Sequence, residues 1–327
     1  MISVNVSNDR EEWDEYVLAH KGHPLQLWSW GEVKAAHNWQ VARAFVADNG
    51  EIIGAAQILI RHLPGPFRSL AYIPRGPVTS LEKREAVLDE IASYVKDTFK
   101  SVALSVEPDD EATFDISGWQ QTDNTILIPR TIILDLDQSV DSLMDSMSKK
   151  TRQYIRKSGG EEMTIRRVKT KEDLELCLEI YRLTSKRAHF ALHDDEYYED
   201  IFHMMGDYSP VFAAFVDDRP VAFLWLAISR HTAFELYGGV SDEGQQLRAN
   251  YALKWYAITK MREWGISRYD LNGLLNDGIS TFKQGFAGHE NQLAGTYDKP
   301  LSPLYIVWQR GLPAMKHVVR KVKSLRK

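Results

Sequence analysis

A lysine set between two phenylalanines is the clearest place for chemistry in this chain. In STFKQGFAG, Ser280 to Gly288, Lys283 follows Phe282 directly and stands three residues before Phe286. Written as a short helix, the segment puts Ile279, Phe282 and Phe286 on one side and Lys283 at that side's edge. Gly288 reads as the stop that ends it. A lysine so placed has two fates. Its stem bends and carries the ammonium to water, or the cation is held in a partly dry, aromatic-walled place. There its charge serves a group that needs a fixed cation.

Other chemistries find little support. The single Cys177 excludes an intrachain disulfide and Cys-based zinc. His189 and His193 are four residues apart, but neighbouring acids alone do not make a metal site. Neither a metal nor a bound cofactor is expected. No Gly-x-Ser-x-Gly elbow and no Walker loop occurs. The chain has 327 residues, 44% apolar and 26% charged, which suits a soluble protein of two ordinary domains. Its start, MISVNVSNDREEW, lacks a basic, apolar leader, and its longest apolar stretch, PVAFLWLAI, is far short of a membrane span. A cytoplasmic location is expected. The net charge of −5 argues against a general nucleic-acid binder, yet two basic clusters stand out. KKTRQYIRKS (Lys149–Ser158) suits phosphates or a solvated helix face. MKHVVRKVKSLRK (Met315–Lys327) has its apolar residues at helical spacing. It is either a plain terminal helix or a basic amphipathic anchor for an anionic membrane surface.

The elements that would position these residues look like one unit written twice. Val41–Ile60 holds two β-rich runs around Asp48-Asn49-Gly50, and Val211–Ser229 holds two similar runs around Asp217-Asp218-Arg219-Pro220. Each hairpin leads to a further strand, SLAYIPRGPV or AFELYGGVS. Each strand precedes a helix, Lys83–Phe99 or Leu247–Trp264, and each helix leads to a strand with a polar end, VALSVEPDD or RYDLNGL. The expectation is an α/β protein of mixed sheets with helices on their faces. The expected domains are residues 1–146, residues 147–300, and a segment 301–327 that packs back on the first.

Hairpin, strand, helix, strand is an order that resembles the GNAT acyltransferase fold, so two tandem GNAT-like domains are implied. Enzymes of that fold grip the coenzyme A pyrophosphate with a glycine-bearing loop at the head of the helix, where backbone N–H groups approach the phosphates. Here the second copy reads DEGQQLRANYALKW and the first, TSLEKREAVLDE, has no glycine. A donor other than acyl-CoA is indicated.

Taken in order, WSWGEVKAAHNWQ, AYIPRGPV, KKTRQYIRKS, HDDEYYED, ELYGGV, ANYALKWYAI, YDLNG and STFKQGFAG resemble the Fem-type (FemABX) peptidyltransferases over nearly the whole chain. No heptad run marks the long helical arm of some members, so the resemblance is to the compact FemX type. It implies transfer of an amino acid from aminoacyl-tRNA to the stem-peptide amine of a peptidoglycan precursor, either lipid II or UDP-MurNAc-pentapeptide. An ester is already activated. The enzyme must position two substrates, an effect worth roughly 7–11 kcal/mol in favourable cases, and stabilise an oxyanion.

The same resemblance implies the site. Lys283, with Phe282, is placed near the tRNA end and the ester. Lys34 is placed at the diphosphate of the precursor, and Arg75 in PRGP at a second phosphate or sugar contact. Tyr197 matches the tyrosine of an arginine–tyrosine pair, with His193 where the arginine is expected unless Arg187 or Lys186 substitutes. Glu107, an acid before proline at a strand end, is placed to bind the acceptor ammonium or, if burial raised its pKa, to take its proton; capping a loop is its plainer use. Tyr237 and Asn272, at corresponding strand ends of the second domain, are expected to bond substrate or to serve the core. Two other functions stay open: an acyl-CoA-dependent N-acyltransferase, and a non-catalytic protein that binds precursor or tRNA.

Overall fold

A computed structural model describes residues 2–158, 163–275 and 277–311. The chain divides into two compact units. One takes in Met1–Trp13, Lys34–Ile126 and the chain from Ala294 onward; the other takes in Asp14–Val33 and Leu127–Leu293.

The sheet of the first unit contains β1 (Ile2–Val6), β2 (Gln40–Asp48), β3 (Glu51–His62), β4 (Ser69–Pro74), β5 (Val78–Thr79), β6 (Ala103–Glu107), β7 (Gln120–Gln121) and, from far along the chain, β16 (Tyr297–Pro300). Its order is β1-β2-β3-β4-β6-β16-β7, with β5 on β3. The β2–β3 turn uses Asn49 at φ 50° and Gly50 at φ 89°. A two-residue hairpin needs this left-handed pair if its strands are to keep their twist. Two helices, α1 (Arg10–Ala19) and α2 (Trp28–Ala36), precede β2. A third, α3 (Arg84–Phe99), buries Val87, Leu88, Ile91, Ala92 and Val95, the three- and four-residue spacing of one helical face. That face packs with inward residues of β2, β3, β4 and β6 to form the core.

In the second unit, β10 (Thr164–Arg167), β11 (Val211–Val216), β12 (Arg219–Ile228), β13 (Thr232–Val240) and β14 (Arg268–Asp270) follow one another in the sheet. It is completed by β9 (Ile133–Asp135), while β8 (Arg130–Thr131) and β15 (Asn291–Gln292) form a separate ribbon. The β11–β12 turn repeats the left-handed geometry with Asp217 at φ 46° and Asp218 at φ 58°. Helices cover both faces. On one side Phe212, Ala214, Ala222, Leu224 and Leu226 pack against α9 (Ala249–Glu263). On the other, Ala213, Phe215, Phe223, Trp225 and Ala227 pack against α6 (Lys171–Ala188) and α7 (Asp195–Met205). A strand buried on both faces is apolar at every position, which is why β12 reads PVAFLWLAI. Further helices are α4 (Val140–Ser146), α5 (Lys149–Ser158), α8 (Asp242–Gln246) and α10 (Gly278–Gln284).

The repeat is visible in both sheets: β4 runs parallel to β6, and β13 runs parallel to β14. The units are nevertheless not the consecutive stretches 1–146 and 147–300. β9 pairs antiparallel with β14 in the second sheet, and β16 pairs antiparallel with β6 and β7 in the first. Each sheet takes a strand from beyond the expected boundary to cover an otherwise open edge. In the segment from 301, Tyr305 and Trp308 cluster with Val102 and Ala103, and Tyr305 donates to Asp298 Oδ2 at 2.9 Å. The basic stretch Met315–Lys327 lies outside the described residues.

Candidate active site

A wedge in the second sheet makes the site. β13 and β14 pair only through Thr232–Phe234 and Arg268–Asp270. Beyond Phe234, β13 runs on to Val240 while β14 has ended. The register against β12 slips at this point, Trp225 facing Tyr237 and Leu226 facing Glu235, so Leu236 is an extra residue that bends the strand. A cavity of about 820 Å³ opens there, lined among others by Glu235, Tyr237, Tyr251, Lys254, Asn272 and Lys283.

Lys283 sits on α10, and both ends of that helix are specified. Asp277 caps the first turn, its Oδ1 accepting from the Ser280 N–H at 2.8 Å and the Ser280 hydroxyl at 2.7 Å. Burial opposes ionisation of Asp277, but these bonds and the Lys283 charge outweigh it and lower its pKa. The helix stops at Gly285, earlier than the expected Gly288. A Cβ on Gly285 would lie 2.3 Å from Thr151 Oγ1 on α5, so only glycine allows the close approach.

The Lys283 ammonium is turned inward. It donates to the carbonyls of Asn272 at 2.8 Å and Gly273 at 3.1 Å. Burial lowers its pKa from 10.5 to about 8; Glu235, Asp270 and Asp277 act against the fall and Lys254 adds to it. Asn272 is itself fixed. Its backbone sits at φ 55°, its N–H donates to Asp270 Oδ1 at 2.7 Å, and its side-chain amide donates to the Glu235 carbonyl at 2.9 Å.

The phenylalanines do not wall in Lys283 as expected. Phe282 and Phe286 pack edge to face, 5.2 Å apart, and the cation above them is Lys254, 5.0 Å and 5.6 Å from their ring centres. Ile279, expected beside them, is exposed. Lys254 lies on the buried face of α9 and is bonded to both Glu235 oxygens at 2.8 Å. The Tyr269 hydroxyl completes the cluster at 2.9 Å from Glu235 Oε1. Glu235, Lys254 and Tyr269 were within quoted motifs but not among the expected site residues. Lysine on a helix ordinarily faces water, and only the packing of α9 on β13 reveals otherwise.

Of the other expected residues, Tyr237 and Asn272 join Lys283 and Phe282 at the cavity, all four half-buried. Tyr197 does not line it. It is 4% exposed in the core beneath α7. Burial raises its pKa to about 12, and its hydroxyl is hydrogen-bonded to that of Tyr237. Tyr197 therefore braces Tyr237 from behind. His193 is exposed, with its ring 4.1 Å from that of Tyr197.

Lys34, Arg75 and Glu107 belong to the first unit. Lys34 is half-buried near the C-terminal end of α2, and burial, then the Arg61 charge, lowers its pKa to about 8. Arg75, expected at a second phosphate or sugar contact, is only 2% exposed and lies near enough to Tyr72 for its charge to oppose the rise that burial causes in that phenol's pKa. Glu107 is 1% exposed and accepts from the Tyr72 hydroxyl, from the Ile126 N–H at 2.8 Å and from Thr296 Oγ1 at 2.7 Å. Those bonds tie together the ends of β4 and β6, the loop before β8 and the approach to β16. These bonds are of the kind expected of a carboxylate that caps a loop. Among the described residues, no three His, Cys, Asp or Glu side chains group as a metal site would need.

The FemAB family matches residues 9–128, and the acetyltransferase (GNAT) domain family matches residues 145–284. Over its first third the chain is similar to the FemAB family, and over its second half to GNAT acetyltransferases. A protein named lipid II:glycine glycyltransferase from Staphylococcus epidermidis is 23% identical over 415 aligned positions, covering 99% of this chain and 96% of that protein. A crystal structure of FemX superimposes with a TM-score of 0.82 at 20% identity, covering 94% of this chain and 100% of that one. A tandem GNAT protein from the clavulanic acid pathway does so with a TM-score of 0.55 at 11% identity, covering 93% and 99%. The fold of this chain is thus tandem GNAT. It is the compact form: its longest described helix, α6, has 18 residues, and the staphylococcal alignment is far longer than the 327 residues here.

Proposed function

We propose that this chain is an aminoacyltransferase of peptidoglycan synthesis, adding an amino acid to a stem-peptide amine to begin or extend an interpeptide bridge. The observation that carries the mechanism is the Lys283 ammonium, held on two backbone carbonyls at the wall of the wedge cavity. The acceptor amine attacks the ester carbonyl, a C–N bond forms, and the carbonyl oxygen takes the negative charge. Lys283 stands as the fixed cation for that charge. As the oxyanion collapses the C–O bond breaks, and the proton lost by the amine ends on the departing oxygen.

Aminoacyl-tRNA is the proposed donor, for two reasons. The head of α9 offers no open pyrophosphate loop: Gly244 is inside α8, where a Cβ would lie 2.2 Å from the Val221 carbonyl oxygen, and Arg248 precedes α9 at φ 57°. Beside it runs a basic and aromatic edge. Lys149, Lys150, Arg152, Arg156 and Lys157 lie on α5. Arg248 and Lys150 stand over the Tyr154 ring at 5.0 Å and 5.6 Å, Tyr154 meets Tyr251, and Tyr251 meets Phe282. Cations beside stacking faces suit an unpaired nucleic-acid end. Lipid II is the favoured acceptor, by the name of the staphylococcal relative. Lys34 is assigned to its diphosphate, and Met315–Lys327 to the anionic membrane that carries it. The reaction then takes place on the cytoplasmic side.

The test is a panel of radiolabelled aminoacyl-tRNAs offered with lipid II or with UDP-MurNAc-pentapeptide. Lys283→Met should lower kcat by about a hundredfold, the worth of one oxyanion donor. Equal transfer by the variant would remove Lys283 from the mechanism. Failure of every charged tRNA, with turnover of an acyl-CoA, would replace the donor.

A further inference from the structure

Beneath the proposed catalytic lysine lies a charge pair with no assigned role. The side chains of Glu235 and Lys254 are 7% and 5% exposed. A buried ion pair is weak evidence for stability, because apolar groups of similar volume often serve the fold as well. Its position says more. Through its carboxylate, Glu235 holds Lys254 under the rings of Phe282 and Phe286. Through its backbone carbonyl, the same residue holds the side-chain amide of Asn272. Asn272 and Gly273 in turn present the two carbonyls that receive Lys283. Both members of the Phe282-Lys283 dipeptide are therefore anchored at Glu235, one by way of a cation and one by way of an amide.

We infer that Glu235 and Lys254 are positioning residues that hold the Phe282 ring and the Lys283 ammonium as one rigid unit and together set the local field at that ammonium. The inference rests on the proposed role of Lys283. The charged groups around Lys283 come from every element that packs on it: Glu235 from β13, Lys254 from α9, Asp270 from β14, and Asp277 from the cap of α10. Asp270 is fully buried, held by Thr131 Oγ1 at 2.5 Å and the Asn272 N–H. It is a second buried carboxyl beside Lys283. Glu235 favours the ammonium and Lys254 opposes it, so the two single substitutions must act in opposite directions. The split between kcat and KM in a folded double variant, more than the shifts alone, separates this role from a purely structural one.

The experiment has two readouts. The first is the titration of the Lys283 side chain by heteronuclear NMR in the substrate-free protein. Glu235→Gln should move its midpoint down and Lys254→Met should move it up, each by at least about half a pH unit. The second is kinetic, on the neutral double variant Glu235→Gln/Lys254→Met, which leaves no unpaired buried charge and so should melt near the native temperature. Its kcat should fall tenfold or more with the donor KM unchanged. Unmoved midpoints in the single variants, or native kcat in a folded double variant, would overturn the inference. If Lys254→Met does not fold, the downward shift in Glu235→Gln and the double variant still decide. The NMR arm needs no turnover, so inactivity with every aminoacyl-tRNA would remove the proposed function and leave this inference to be judged by itself.

Discussion

Lys283 is poised at a pH where its charge is easily lost, and the sign of the consequence can be worked out. With a pKa near 8 it is an ammonium below about pH 7 and largely neutral above about pH 9. If the cation stabilises the oxyanion, kcat falls as pH rises through 8. Lys283→Arg, which cannot deprotonate in this range, should flatten that limb even where its absolute rate is lower. A rise through pH 8 that Lys283→Arg retains reports loss of the acceptor's own proton, whereas a rise that Lys283→Arg abolishes would make the neutral Lys283 amine the working form. The linkage to stability runs the other way. Between pH 8 and 10.5 the unfolded chain holds the lysine proton and the native chain does not, so this residue favours the fold increasingly as pH rises. Lys34 is held near 8 as well. Lys34→Ala should raise the acceptor KM below pH 8, leave kcat nearly unchanged, and matter less above it. The sequence marked Lys283 because a lysine between phenylalanines breaks the apolar pattern. It could not mark Lys254, which breaks no pattern on a helix, nor show that Arg75 and Glu107 are enclosed, since burial is a property of elements that meet from distant parts of the chain.

At the scale of elements, α10 is a seven-residue helix with a fixed start and a fixed stop. Asp277→Ala removes the cap and should cost about 1 kcal/mol, seen as a fall in melting temperature. Gly285→Ala should do more harm to activity than to stability. Its methyl would meet Thr151, and the relief is a shift of α10 that carries Lys283 with it. Thr151→Ser should leave that conflict in place, because the obstructing Oγ remains, whereas Thr151→Ala should restore rate to the Gly285→Ala variant. The long elements were legible: both hairpins, α3, α9 and the parallel strands stand within a few residues of the expected bounds. The two turns were readable because Asn-Gly and Asp-Asp accept the left-handed backbone. The bulge at Leu236 was not, since one extra residue in an apolar strand leaves the alternation locally plausible.

For the whole molecule, the informative elements are among the short ones. β9 has three residues and β16 has four, too few to show a period, and both lie where a consecutive reading would put the other unit. They decide which fragments can fold. A fragment ending at residue 146 retains β6 and α3 but lacks β16, and with it the Ser105–Asp298 bond at 2.5 Å. It should be poorly soluble and show little protection of β6 amides in hydrogen exchange. Addition of a peptide spanning residues 294–311 should restore that protection. A fragment of residues 1–146 that folds without it would show that β16 is dispensable.

The excursion of the chain between β6 and β16 also has a consequence in time. Ser105 and Asp298 are 193 positions apart, and a ribosome adding about 5–20 residues per second needs roughly 10–40 seconds to cover that interval. Throughout it the first-made sheet waits with β6 unpaired on the side that β16 will fill. The unit begun first is finished last, and a nascent chain stalled anywhere in between presents an open strand to whatever is near. For this protein, trigger factors or other nascent-chain escorts would matter most during synthesis of the second unit, after the first has emerged.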